Sequence, residues 1–254
     1  MFGWIRKLRR RRILNRPTPD LWLAFLEDNV PAFRNMTKAQ RARLIECVKI
    51  IVAERSFEGC DGLQINERMK VTIAGHASLL LLGTPNYYFD TVRAILVFPD
   101  TIQREVTHND QGQQVGGAIE SRAGEAWQSG QIVLSWPDVL YGGQEQEGFN
   151  LVIHEFAHHL DSLDGEMGGF IHFDDPDDLK RWEEVSLREY ENLVTASQIG
   201  LSVLLNFYGA TNRAEFFAVA SETFFEQPYR FQDDYPELFD LLRIFYRVDP
   251  RQWA

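Results

Sequence analysis

The chain has 254 residues, 44% of them hydrophobic, enough to bury one sizeable core and most simply one domain. Its net charge of −11 argues against a nucleic-acid-binding catalytic body, because phosphate contacts need a basic surface. Two cysteines outside any C-x-x-C pair, Cys47 and Cys60, point to reduced thiols and a cytoplasmic setting, and no apolar run approaches the ~18–20 residues of a membrane-spanning helix.

Charge is distributed unevenly. Residues 1–16 hold Arg6, Lys7, Arg9, Arg10, Arg11, Arg12 and Arg16 with no acid, which leaves 19 basic against 37 acidic residues, −18, in the rest. The segment reads as a flexible basic tail preceding a single domain over 17–254. Three roles stay open for it: a solubilising arm, a membrane-surface contact through Phe2, Trp4, Ile5 and Leu8, or a partner contact. It lacks the continuous apolar core, about seven residues or more, of a secretory signal.

Pro17-Thr18-Pro19 closes the tail, and Asp20 is placed to cap a helix carrying Leu21, Trp22, Phe25 and Leu26. Thr37 and Gln40 form a capping-box pattern ahead of Leu44, Ile45, Val48 and Ile51. The apolar stretch from Val71 to Leu82 predicts a buried helix ending near Gly83, with His76 a satisfied core histidine. Ala94 to Phe98, stopped by Pro99, reads as a buried strand. Residues 107–117 are polar and Gly-rich, a turn or hairpin with His108 exposed. Gly130 to Trp136, ended by Pro137, is the next strand. The Gly165, Gly168, Gly169 region and the acids Asp174, Asp175, Asp177 and Asp178 read as loop; their spacing is not that of a calcium loop.

Between these loops lies His154-Glu155-Phe156-Ala157-His158, H-E-x-x-H, in a stretch from Asn150 to Leu160 free of helix breakers. On a helix the two histidines share a face, so their imidazoles converge on one point. That spacing suits Zn²⁺, and Glu155 is placed to act on a water at the metal. A bare H-E-x-x-H also occurs as a solvated helix turn. Here Leu151-Val152-Ile153 make the helix a buried one, where charged groups need partners. Asp161, seven after His154 and three after His158, lies on the same face and is a candidate to accept an imidazole N–H.

A catalytic zinc site needs a third protein ligand. One route keeps it in the same segment. Asp164 has the right spacing, but Asp161 stands where the pattern wants a turning glycine. The other route takes a carboxylate from a downstream helix over Asn212 to Phe225, where Glu215 and Glu222, seven apart, share a face among aromatic residues.

HEFAHHLD followed about fifty residues later by FYGATNRAEFFAVASETFF resembles the Mlc titration factor A family of bacterial zinc peptidases, and also the catalytic domain of anthrax lethal factor. GQIVLSWPDV and GFNLVIHE resemble the first family too, so the likeness runs from about Leu63 to Pro250. His159 and Asn212 stand where such relatives often differ. The resemblance implies an α+β fold, a mostly helical zincin-type domain with a small sheet beside the motif helix. It implies one Zn²⁺ held by His154, His158 and Glu215, with Tyr208 lining the site; Asp161 and Glu222, by their positions on the two helices, then stand behind the ligands. Ile132, Val133, Leu134, Ser135 and Trp136 become the strand that receives substrate backbone by strand addition. The implied activity is peptide hydrolysis through a metal-activated water with Glu155 as base; endo- versus aminopeptidase action stays open. The family is named for titrating the glucose-responsive repressor Mlc, so a Mlc-type repressor is an implied partner. A mainly non-catalytic repressor-binding role is the alternative.

Overall fold

A computed structural model describes residues 2–100, 107–108, 114–115, 130–142, 148–164, 168–169 and 171–254. The arginine-rich segment, expected as a flexible tail, is a helix over most of its length: α1 spans Phe2–Leu14. Its Arg10 reaches Glu54 at 2.8 Å and pairs with Asp90, and Ile13 is buried in the core. Lys49 donates to the Leu14 carbonyl at 2.8 Å, which satisfies a group at the helix end. A buried guanidinium needs carboxylates around it, and residues distant in sequence supply them.

Next come α2 (Asp20–Asn29), α3 (Pro31–Asn35) and α4 (Lys38–Glu54). Asp20 is the first residue of α2 rather than its cap; Pro19 occupies the cap position and makes no side-chain bond. The capping box on α4 forms as expected: Gln40 N–H donates to Thr37 Oγ1 at 3.3 Å, and Thr37 N–H to Gln40 Oε1 at 2.9 Å. Helix α5 (Glu67–Leu79) is buried at every residue from Val71 onward, as a helix apolar on all sides should be.

A parallel sheet has the order β1 (Ser56–Gly59), β2 (Ala94–Phe98), β5 (Gln131–Ser135). In its register Ala94 lies opposite Gln131 and Phe98 opposite Ser135. Two-residue strands β3 (Thr107–His108) and β4 (Gln114–Val115) pair antiparallel, within the expected hairpin; the His108 side chain lies outside the described residues. Strand β5 ends before Trp136, which opens α6 (Trp136–Tyr141). Ser135 accepts the Asp138 N–H at 3.3 Å, and Pro137 in the first turn suits a helix start, so Trp136 drops out of the expected substrate strand.

The chain continues through α7 (Leu151–Asp161), α8 (Pro176–Ile199), α9 (Arg213–Glu226), α10 (Pro228–Asp234) and α11 (Pro236–Tyr246). The acids assigned to a loop partly belong to α8. Asp175 caps it by accepting the Asp177 N–H at 2.9 Å, and Asp177 and Asp178 sit in its first turn, where the helix dipole favours them. Helix α7 packs against α9, α5 and β5, and Val152, Ile153, Phe156 and Ala157 have no exposed surface. The architecture is mostly helical with one small parallel sheet beside α7. No helix among the described residues is long and apolar enough to cross a membrane.

Candidate metal centre

Helix α7 begins at an asparagine. Asn150 Oδ1 accepts the Ile153 N–H at 3.2 Å, an N-cap bond, and one turn later the chain presents His154 and, four residues on, His158. Helix α9 likewise starts on an asparagine cap: Glu215 N–H donates to Asn212 Oδ1 at 2.9 Å. The cap fixes the first turn that carries Glu215. Gly169 follows α7 with φ +71°, a left-handed backbone suited to glycine. Its N–H donates to Asp161 Oδ2 at 2.9 Å, and its carbonyl accepts Trp182 Nε1–H at 2.8 Å.

Three side chains converge between the two helices. His154 Nε2 lies 3.0 Å from Glu215 Oε2, His158 Nε2 lies 3.2 Å from the same oxygen, and the two Nε2 atoms are 3.1 Å apart. All three residues are buried. Glu222, two turns along α9 from Glu215, accepts from His154 Nδ1 at 2.6 Å through Oε1, and its Oε2 accepts the Asn150 N–H at 2.7 Å. A proton held on Nδ1 leaves Nε2 as a bare lone pair. That lone pair faces an anionic oxygen and a second imidazole nitrogen at 3.0 and 3.1 Å, so that a cation placed among the three atoms would be held by all of them. Burial alone would push the Glu215 carboxyl up, but His158 and His154 outweigh it and hold it below the usual carboxylate range.

The donor set fits a metal ion. Donors on a tetrahedral ion with bonds of about 2.0–2.1 Å stand ~3.3 Å apart, close to the separations found here. Two imidazoles and one carboxylate suit the zinc class of divalent ions. Glu155, beside His154 on α7, is buried. Tyr208 lies in the 3₁₀ turn Phe207–Ala210, its ring centroid 5.9 Å from that of His154. Asp161 is buried at the end of α7 and accepts from Gly169, while Glu222 is the carboxylate at the His154 imidazole. Asp164 is in the 3₁₀ turn Ser162–Asp164; its side chain lies outside the described residues.

Sequence reasoning missed Asn150. Its amide donates to His76 Nδ1 at 2.9 Å and to Glu226 Oε1 at 2.7 Å, while its backbone and Oδ1 serve Glu222 and α7. An asparagine directly before an apolar helical run is a cap signal, and Glu226 follows Glu222 by four, on the same face of α9. Both clues were present. His76 is the satisfied core histidine expected: its Nε2–H donates to the Asn29 carbonyl at 2.8 Å, and burial lowers its pKa to about 4.

The expected substrate strand, now 132–135, lies in β5 at one side of the sheet order and packs on α7. Ile132 and Leu134 point into the core, and Val133 is half-buried.

Comparison with known proteins agrees with this geometry. A family model described as glucose-regulated metallo-peptidase M90 matches residues 5–247. An uncharacterized protein from Synechocystis sp. is 34% identical over 245 residues, 95% of this chain and 89% of the relative. Mlc titration factor A of Salmonella agona is 30% identical over 225 residues, covering 88% of this chain and 84% of that protein. The counterpart from Salmonella arizonae is 30% identical over 227 residues, 88% and 89%. With the family model spanning nearly the whole chain and a buried His-His-Glu cluster where such a peptidase needs one, the chain belongs to the M90 metallopeptidase family.

Proposed function

We propose that this protein is a zinc-dependent peptidase in which His154, His158 and Glu215 hold the ion. The observation that carries the reading is the triangle of donor atoms, 3.0, 3.1 and 3.2 Å on its sides, with the His154 tautomer set by Glu222. Bound there, Zn²⁺ lowers the pKa of a coordinated water to about 7 and polarises a peptide carbonyl. Glu155 takes the proton of the attacking water and delivers it to the leaving amine. Tyr208, its ring beside that of His154, donates its hydroxyl to the developing oxyanion. Residues 132–135 align the substrate backbone along the edge of β5. Burial of the three ligands and Glu222 keeps competing water from the histidine nitrogens.

Glu155→Gln tests the reading. It keeps size and polarity but cannot accept a proton, so bound zinc should stay near the wild-type level while peptide hydrolysis falls by about 10²–10⁴-fold. Zinc content by atomic absorption and turnover of a peptide library decide it. Full turnover in that variant would rule out Glu155 as the base.

A second activity is favoured by the relatives named Mlc titration factor A, which match 88% of this chain: binding and titration of a Mlc-type repressor. A pull-down with purified repressor, repeated on Glu155→Gln, separates it from hydrolysis. Binding that survives loss of turnover supports two separable functions, and no binding by the wild type removes the second.

A further inference from the structure

Helix α1 turns only part of its surface to the protein. Arg10 and Ile13 are buried, and Arg6 reaches Asp90 at 3.4 Å. The opposite side is unlike a solvated helix face. Trp4 is 69% exposed, Ile5 57% and Leu8 37%, and helical spacing puts these three on one strip. Lys7 and Arg11 border the strip on one side and Arg9, which also donates to the Ala53 carbonyl at 3.3 Å, on the other; Arg12 continues it by one turn, and Arg16 follows just past the helix end. Among the described residues, Lys7, Arg11, Arg12 and Arg16 have no acidic side chain within 4 Å. Ile5, Leu8, Arg9, Arg12, Ile13 and Arg16 also line one open groove of about 550 Å³ beside Ala53. This is the only stretch of the sequence where basic residues are massed without acids, against −18 on the rest.

We propose that α1 is an interfacial helix that seats the protein on an anionic lipid bilayer. Trp4, Ile5 and Leu8 enter the boundary between headgroups and acyl chains, while Lys7, Arg9, Arg11, Arg12 and Arg16 meet lipid phosphates, their stems lying along the apolar strip. Charge complementarity selects this occupant: the cationic face is attracted to anionic lipid, and the acidic body is repelled from it, which sets one orientation. The exposed tryptophan and aliphatic residues favour a bilayer over nucleic acid, whose phosphates ask only for the cations. The buried Arg10–Glu54–Asp90 cluster fixes the helix to the body, so the surface is presented already folded and binding bears little ordering cost.

Flotation of the full chain with vesicles of phosphatidylcholine alone and of phosphatidylcholine with about one third phosphatidylglycerol tests this. Binding is expected to the anionic vesicles only, and to fall as salt is raised to about 0.5 M. Trp4→Ser with Leu8→Ser, and separately Arg11→Ser with Arg12→Ser, should each weaken binding at least tenfold, at about one tenth to one thirtieth per pair of basic groups removed, with thermal unfolding unchanged. Duplex DNA serves as the competing probe. No binding to anionic vesicles at low salt overturns the proposal. So does binding indifferent to Trp4 and Leu8, or DNA binding tighter than vesicle binding. Because no readout is peptide hydrolysis, the result is independent of the proposed catalytic reading.

Discussion

Glu215 and Glu222 are the same residue type on one face of one helix, and their neighbours divide the work. Glu215 meets two imidazole Nε2 atoms, whereas Glu222 meets one Nδ1 and the start of α7. Glu215→Ala should therefore empty the site of most of its zinc. Glu222→Ala should weaken retention by about 10–100-fold, and Asp164→Ala should leave metal content near wild type. Loss of metal in Asp164→Ala alone would place the third ligand elsewhere. The position of Tyr208 beside His154, with ring centroids 5.9 Å apart, makes it a candidate oxyanion donor. Tyr208→Phe is expected to lower kcat by roughly 10²-fold with zinc content and KM little changed. Unaltered kcat would return it to the packing around Phe207. The two histidines were legible from spacing; Glu215 shared its spacing signal with Glu222, and the family resemblance was what chose between them. Asp161 was a supporting candidate by its spacing from the two histidines and Glu222 by sharing a face with Glu215, and periodicity carries no information on which helix faces which imidazole.

At the scale of elements, the start of α7 depends on helices far from it in sequence. Asn150 joins α5 through His76 and α9 through Glu222 and Glu226. Burial raises the Glu226 carboxyl to about 7, with the neighbouring Glu222 charge adding to the rise and the Asn150 bond opposing it. His76 stays neutral beside it, and Arg34 and Arg230 line the same cavity of about 670 Å³. Between the ordinary value near 4.5 and about 7 the folded state holds this proton and the unfolded state has lost it. Stability attributable to Glu226 thus declines as pH rises through that window. Glu226→Gln keeps an oxygen for Asn150 and removes the decline. Its melting temperature should exceed that of wild type at pH 8, with the gap closing toward pH 4.5. A gap that does not change with pH would count against a protonated Glu226. Elements with a local signal were readable: the capping box of α4, the all-apolar α5, the strands at 94–98 and 131–135. Those set by distant partners were not. Nothing in the arginine run announces that Glu54 and Asp90 will dock it, and Trp136 looked like strand because a cap bond from Ser135 lies outside any alternation pattern.

For the whole molecule, the proposed ion links α7 to α9 through ligands 57 residues apart. Anything that binds only the folded state stabilises it by mass action, about 2.7 kcal/mol when the ligand is at 100 times its Kd. For a chain of this size that corresponds to ~5–10 °C in Tm. Scanning calorimetry with and without a chelator should register a fall of that order, reversed by added zinc. The same scan on Glu215→Ala should show little response to the chelator. An equal shift in both proteins would mean that metal acts somewhere else. The overall class, mostly helical with a small sheet, was implied by the family resemblance; the parallel order of that sheet was not, since strand adjacency depends on connections that carry no local signature.

The order of the ligands along the chain has a consequence for timing. His154 and His158 leave the ribosome first, and Glu215, Glu222 and Glu226 follow after the whole of α8. At about 5–20 residues per second, the interval is roughly several seconds, during which the motif helix exists without its third ligand or the carboxylate that sets its tautomer. A nascent chain halted near Gly200 would carry the complete H-E-x-x-H and still be unable to cut. On this ligand set, hydrolytic competence is a property acquired last, when the C-terminal helices have docked, so that a peptidase made among unfolded neighbours is inert until its own folding is done.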